Sequence, residues 1–243
     1  MKHTGIFETS NDIQTAVNNE ALVKPYVALY GSSSNYSVDI NSKSIINQLN
    51  NYTYVDLGLQ SGTLWATCNI GAASPEEYGY YFAWGETSEK TGNNAYDSNW
   101  SDYNFGTSAS NITKYNATDN KTILDLEDDA AYVIMGESWR IPTDAQIREL
   151  RNLSNIWTTL NGINGRLFTG NNGNTLFIPA AGYKNTGTIN NAGIKCYMWS
   201  CNGGGSEGTS GAGYFTFDSG GTDVLVRGRC DGCSCRGVIN PTE

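Results

Sequence analysis

The sequence predicts an α+β fold: a twisted, mostly antiparallel sheet with two helices, preceded by a small N-terminal segment of different texture. Three observations carry this reading. Short runs rich in aromatic and β-branched residues recur from Tyr52 onward, each bounded by Gly, Asn or Ser, as strands joined by tight turns require. Two stretches, near 124–135 and 143–154, carry helical spacing instead. Gly reaches 28 against 5 Pro in 243 residues, so the chain bends often without Pro-rich character, while 12% aromatic residues supply a core.

Residues 1–48 stand apart. Thr9-Ser10-Asn11-Asp12 reads as a helix entry, with Ile13, Ala16 and Val17 at helical spacing until Pro25 ends the stretch. Tyr26–Tyr30 and Tyr36–Ile40 read as short strands around the turn Gly31–Asn35. Such a segment is too small to enclose its own apolar side chains. Ile13, Val17, Tyr26, Val27 and Leu29 are therefore the candidate contacts to a partner or to sister copies. A second domain is expected over 52–239. In it, Val55–Leu59 and Leu64–Cys68 read as strands around Gln60-Ser61-Gly62, and Tyr80–Trp84 as a further apolar run. Residues 85–122 are polar, with Trp100, Tyr103 and Tyr115 scattered through them. Asp129–Met135 is helical in composition. Thr143 is a good N-cap for a helix whose buried stripe is Ile147, Leu150 and Leu153. Leu176–Pro179 reads as a buried strand, Tyr214–Phe217 and Val224–Val226 as a hairpin around Asp218-Ser219-Gly220-Gly221, and Cys233–Val238 as a last alternating strand.

Composition narrows the function. Acidic residues outnumber basic ones 24 to 15, a formal net charge of −9, and no basic run occurs, which argues against nucleic-acid binding. The single His, His3, leaves the body of the chain without His-based acid–base or nucleophilic chemistry. No run of about 18 apolar residues is present, so no membrane insertion is expected. The start, Met1–Val17, lacks the apolar core of a secretory leader, which points to a chain kept in a cytosol or leaving it inside an assembled particle. An enzyme is the least supported class, and the expectation is a non-enzymatic protein with no cofactor.

Six Cys residues (Cys68, Cys196, Cys201, Cys230, Cys233, Cys235) leave three readings open: buried thiols, one or two disulfides, or a zinc site from Cys196-x4-Cys201 with Cys230-x2-Cys233. The acidic run Asp125, Glu127, Asp128, Asp129 reads as a helix-start or solvated face, and no metal site is expected there.

The strings Tyr54-Val55-Asp56-Leu57-Gly58-Leu59, Gly62-Thr63-Leu64-Trp65-Ala66-Thr67-Cys68-Asn69-Ile70-Gly71-Ala72 and Pro75-Glu76-Glu77-Tyr78-Gly79-Tyr80-Tyr81-Phe82-Ala83-Trp84-Gly85-Glu86-Thr87 resemble the Fibrobacter major paralogous domain family. The resemblance continues in order through Thr113-Lys114-Tyr115-Asn116, Leu126–Ala131, Ser138–Thr143, Trp157-Thr158-Thr159, Gly162–Gly165, Ile178–Tyr183 and Trp199-Ser200, over roughly residues 52–239. It implies a C-type-lectin-like fold with Trp65, Trp84, Trp139 and Trp199 in the interior. Trp139-Arg140-Ile141-Pro142-Thr143 is also similar to the same region of formylglycine-generating enzymes, without a matching catalytic segment. The Glu-Pro-Asn, Gln-Pro-Asp and Trp-Asn-Asp strings by which sugar-binding C-type lectins hold Ca²⁺ do not occur in this sequence.

Two functions follow as expectations. The first is a bacteriophage virion structural protein, a head fibre or capsid decoration on the capsid surface, assembled in the host cytoplasm. Gly5–Thr9 and Lys24–Val27 resemble N-terminal stretches of phage structural proteins. Its partners would be the capsid protein, sister copies (a homotrimer first, a dimer second) and a surface glycan. The second is a bacterial cell-surface adhesin or glycan-binding module. The glycan candidates are Trp100, Tyr103, Asn104, Tyr183 and Asn202, because aromatic faces stack on sugar rings while Asn side chains bond hydroxyls.

Overall fold

The computed structural model describes residues 37–39, 44–90, 100–185, 187–204 and 210–240, and divides the chain into two compact units, Met1–Val55 and Asp56–Glu243. Ile13, Val17, Tyr26, Val27 and Leu29, with the helix and strand expected at 9–30, lie outside the described residues.

In the first unit, β1 (Ser37–Asp39) pairs antiparallel with β2 (Ser44–Leu49), and β2 with β3 (Tyr52–Asp56) in the register Asn47↔Tyr54 and Leu49↔Tyr52. The β2–β3 turn is Asn50-Asn51, at φ 52° and 67°; Asn tolerates this left-handed region, which a twist-matched hairpin needs. The strand expected over Val55–Leu59 stops at Asp56. Gly58 turns the chain at φ 63°, and its N–H donates to Asp56 Oδ1 at 2.7 Å.

The second unit is α+β and mostly antiparallel. Its early strands are short: β4 (Leu64–Ala66), β5 (Tyr81–Phe82) and the hairpin β6 (Gly106–Ser108) and β7 (Asn111–Ile112). Two α-helices follow among the described residues, α1 (Ala130–Met135) and α2 (Asp144–Arg151), with β8 (Trp139–Arg140) between them. The helix expected over 124–135 therefore begins late. Leu126–Asp128 forms a 3-10 turn, and Asp129, extended at ψ 108°, breaks it and caps α1 by accepting from Ala131 N and Tyr132 N. Helix α2 opens on a full capping box, with Gln146 N donating to Thr143 Oγ1 and Thr143 N to Gln146 Oε1. It buries Ile147 and Leu150 and ends at Arg151; Leu153, expected in its stripe, falls in the turn beyond.

Beyond α2 come β9 (Ser154–Leu160) and β10 (Ile163–Thr169), a hairpin through Asn161-Gly162 at φ 48° and 84°, completed as a three-stranded sheet by β11 (Thr175–Pro179). A small hairpin, β12 (Tyr183–Asn185) and β13 (Thr188–Asn190), leads to the long strands β14 (Cys196–Gly203), β15 (Gly211–Asp218) and β16 (Gly221–Gly228). The expected last strand splits into β17 (Cys233–Ser234) and β18 (Val238–Ile239), because the Arg236 between them is wholly buried and bonded to other segments. A five-stranded sheet in the second unit runs β16-β15-β14-β17-β5, with β14 and β17 parallel; β18 lies between β4 and β8.

Trp65, Trp84, Trp139 and Trp199 are all 0% exposed, as the sequence predicts. Each indole buries about 200 Å², which by area corresponds to roughly 5 kcal/mol, an upper value because the unfolded chain already hides part of that surface. Two of them also lock strands together: Trp84 Nε1 donates to Ser200 O at 2.8 Å and Trp199 Nε1 to Phe82 O at 2.7 Å. No helix among the described residues is long and apolar enough to cross a membrane.

Candidate functional site

The polar segment after β5 is held by one buried carboxylate. Gly85, at φ 80°, turns the chain under Phe105, whose ring would lie 3.0 Å from a Cβ there. Glu86, 3% exposed, then accepts from Asn104 N (2.9 Å) through Oε1 and pairs with Lys90 Nζ (2.6 Å) through Oε2. Lys90 Nζ also donates to Asp102 O at 3.1 Å. A carboxylate this deep is stable only when paired, so Glu86 fixes both Lys90 and the Asp102–Asn104 backbone.

Aromatic rings extend this anchor. Trp100, Tyr103, Phe105, Tyr115 and Trp84 follow one another in edge-to-face contacts of 5.6, 5.7, 5.9 and 5.1 Å between centroids. Tyr103 is buried and its hydroxyl donates to Trp84 O at 2.9 Å; burial pushes that phenol far above its ordinary range. Arg229, also buried, stacks 4.4 Å over Trp84 and donates to Gly211 O and Tyr115 O. Its pKa is lowered by burial.

On the far side of Tyr115 three carboxylates converge. Asp125, Glu127 and Asp128 place oxygens within 4.8 Å of one another, the one such group of metal-ligand type among the described residues. The cation among them is the Lys114 ammonium, 3.1 Å from Asp125, 2.8 Å from Glu127 and 2.5 Å from Asp128. Burial opposes the Lys114 charge, but these three bonds outweigh it and hold the ammonium above the ordinary lysine range. Tyr115 OH donates to Asp128 Oδ2 and accepts from Asp125 N; Lys121 takes the remaining side of Asp125 at 2.6 Å. The acidic run expected as a helix-start face is thus an ion-pair network, with helix capping left to Asp129.

Of the glycan candidates, Trp100, Tyr103 and Asn104 come together. Tyr103 is corrected: its ring is sealed under the segment and pins it, so it offers no face to a ligand. Trp100 is half-buried, and Asp102 and Asn104 are exposed beside it. Asn202 lies on the neighbouring strand end, where Gly203 approaches the Trp84 ring so closely that a Cβ would sit 2.7 Å from Cη2. Its Oδ1 accepts from Asp144 N at 2.8 Å, so this Asn secures the start of α2 instead of facing outward. Tyr183 belongs to a different cluster. Its ring lies 4.0 Å under Arg227, which also covers the stacked pair Tyr197–Tyr214 and is tied to Asp231 at 2.6 Å.

Phe105, Lys114 and Arg229 are structural members of the site that carry no motif of their own; the only sequence signal was the string Thr113-Lys114-Tyr115-Asn116. None of the six cysteines forms a disulfide, five of them are buried, and among the described residues no three converge as zinc would require. Burial pushes Cys201 up to about 12 and Cys230 up to about 11, which keeps both protonated. No family model, curated protein or solved structure matches the chain.

Proposed function

We propose that the chain is a non-enzymatic display protein: a C-type-lectin-like domain of the Fibrobacter major paralogous type, over residues 52–239, carried as a head fibre or capsid decoration and used to bind surface glycans. The single observation that carries the binding reading is the Glu86 anchor. It holds Trp100, Asp102 and Asn104 on a fixed base, an aromatic face flanked by exposed polar groups, which is the pairing that sugar rings and hydroxyls recognise. The order of the resembling strings supports the fold. Several of them take up the interior roles such a fold needs, the four buried Trp side chains above all. The N-terminal segment would dock on the capsid protein and on sister copies, as a trimer.

The test is a glycan array with the full-length protein, followed by titration of hits against Trp100→Ala and Asn104→Ala. Stacking on one ring is worth about 1 kcal/mol, so Trp100→Ala should weaken binding about fivefold to tenfold. Hits unaffected by both substitutions would place the binding face elsewhere. Deleting residues 1–48 should abolish incorporation into particles; recovery of the native protein in a bacterial envelope fraction would instead favour the surface-adhesin reading.

A further inference from the structure

Four Asn-Gly pairs occur in the sequence: Asn161-Gly162, Asn164-Gly165, Asn172-Gly173 and Asn202-Gly203. Such a pair is chemically labile, because a Gly nitrogen with no side chain beside it can reach the side-chain carbonyl carbon of the preceding Asn. The reaction needs two freedoms. The Gly N–H must be open to a base in solvent, and the Asn side chain must be able to swing onto that nitrogen.

Three of the pairs lack both freedoms. Asn164-Gly165 lies in β10, the central strand of its sheet, where Gly165 is buried between Thr158 and Pro179 and Asn164 Nδ2 donates to Gly193 O at 2.8 Å. Gly173 N donates to Gly170 O at 3.0 Å, while Asn172 donates to Asp56 O at 2.9 Å and accepts from Asn174 N at 3.0 Å. Gly203 N donates to Thr122 O at 2.7 Å, and Asn202 Oδ1 accepts from Asp144 N at 2.8 Å.

Asn161-Gly162 differs on both counts. The two residues are exposed at the tip of the β9–β10 hairpin. Among the described residues Gly162 N has no hydrogen-bond partner, and nothing lies within 4 Å of where a Gly162 Cβ would stand. Asn161 is tied at one atom, Nδ2, which donates to Glu76 Oε1 at 2.7 Å. That bond holds the Glu76 carboxyl below the usual carboxylate range, so Glu76 is an anion at neutral pH.

We propose that Asn161 is a site of self-modification in the folded protein, converting to aspartate and isoaspartate while the other three pairs persist. Gly162 N gives its proton to a base in solvent and attacks Asn161 Cγ. The new C–N bond closes a cyclic imide, the Cγ–Nδ2 bond breaks, and Nδ2 takes a proton from water and leaves as ammonia. Water then opens the imide at either carbonyl. The net exchange is water in and ammonia out, with no redox partner. Either product puts a carboxylate where the donor to Glu76 stood, and isoaspartate also adds a backbone carbon to a two-residue turn. The hairpin tip thus gains a negative charge beside one already present.

The experiment is incubation of the native full-length protein in mildly alkaline buffer, with a sample in urea beside it, followed by peptide mapping in which conversion adds about 1 Da. In the native sample Asn161 should convert at least about tenfold faster than any of the other three, and in urea the four rates should lie within about threefold of one another, because only local structure separates them. Asn161→Asp, which imitates the product, should lower the melting temperature at neutral pH by about 2 °C, and Glu76→Gln in the same chain should restore it. A native Asn161 that converts no faster than the other three, or a tenfold preference that persists in urea, overturns the proposal. An Asn161→Asp protein as stable as wild type, or one that Glu76→Gln fails to restore, overturns the charge contact with Glu76.

Discussion

Replacing Lys114 by Met removes the cation from among three carboxylates and keeps most of the aliphatic stem that lies by Phe105 and Tyr115. Two of the three pairs are weak because water screens them: the side chains of Glu127 and Asp125 are 76% and 31% exposed, worth about 0.5 kcal/mol each. The bond to Asp128, whose side chain is only 12% exposed, is worth about 1.5 kcal/mol. Together these give a loss near 2.5 kcal/mol, or a fall of about 8 °C in melting temperature for a domain of this size. The variant also leaves three convergent oxygens without their ammonium, with Lys121 still paired to Asp125. Ca²⁺ favours such oxygens, and a weak site of Kd about 1 mM would restore about 1.4 kcal/mol at about 10 mM Ca²⁺. Differential scanning fluorimetry of wild type and Lys114→Met, with and without 10 mM Ca²⁺ (about ten times that Kd), therefore expects a destabilised variant that Ca²⁺ lifts by about 4 °C and a wild type that it does not move. A variant as stable as wild type refutes the ion-pair reasoning. A variant blind to Ca²⁺, or a wild type equally responsive, refutes the view that Lys114 fills a cation position.

Further outcomes follow from other sites. Asp129→Ala strips the acceptor from Ala131 N, Tyr132 N and Ile141 N and should cost about 3 kcal/mol in chemical denaturation, with Asp129→Asn costing less. Gly71→Ala should destabilise by about 2 kcal/mol or more, because φ is 83° and the new Cβ would lie 2.4 Å from the Tyr80 ring. Acid should unfold the protein through carboxylates held below their ordinary range. Asp125 is held down by Lys121 first and then Lys114, and Asp218 by the N–H of Gly220 first and then by Lys195. A depressed folded pKa contributes stability above the unfolded value, about 3.9, and that contribution is lost as pH falls through the folded one. Asp218→Asn should therefore flatten the decline in urea midpoint below about pH 4, and an unchanged slope would exclude Asp218 as a contributor.

Local signals made some elements legible and left others hidden. Helix α2 could be read from Thr143, Gln146 and the Ile147–Leu150 stripe because capping and amphipathic burial both act within a few residues. The β15–β16 hairpin was equally plain from Asp218-Ser219-Gly220-Gly221. By contrast, β9 and β10 escaped: β9 is half-exposed on both faces, with Ile156 58% exposed, so alternation is blurred. Their one strong signal, Asn161-Gly162, is lost in a chain where Asn and Gly are everywhere. The site shows the same division. Aromatic residues in a polar segment could be seen in sequence, yet which ring faces outward could not. That choice is made by Glu86 reaching Asn104 N and by Tyr103 OH reaching Trp84 O, contacts across 18 and 19 residues that no periodicity announces. Tyr183 was likewise claimed by a cation, Arg227, 44 positions further along the chain.

The reciprocal indole bonds, Trp84 to the backbone of β14 and Trp199 to the backbone of β5, make a double latch between these segments. They clamp β14 to β5 and to the turn just after it from inside, so neither bond uses a side chain of residues 85–102. Residues beyond β5 are held as well, Lys90 by its N–H on Tyr81 O and Tyr103 by its hydroxyl on Trp84 O. Changing the exposed Asp102 and Asn104 side chains should therefore leave the melting temperature nearly constant. A protein engineer could vary the chemistry of that face through these two side chains without loosening the frame beneath it.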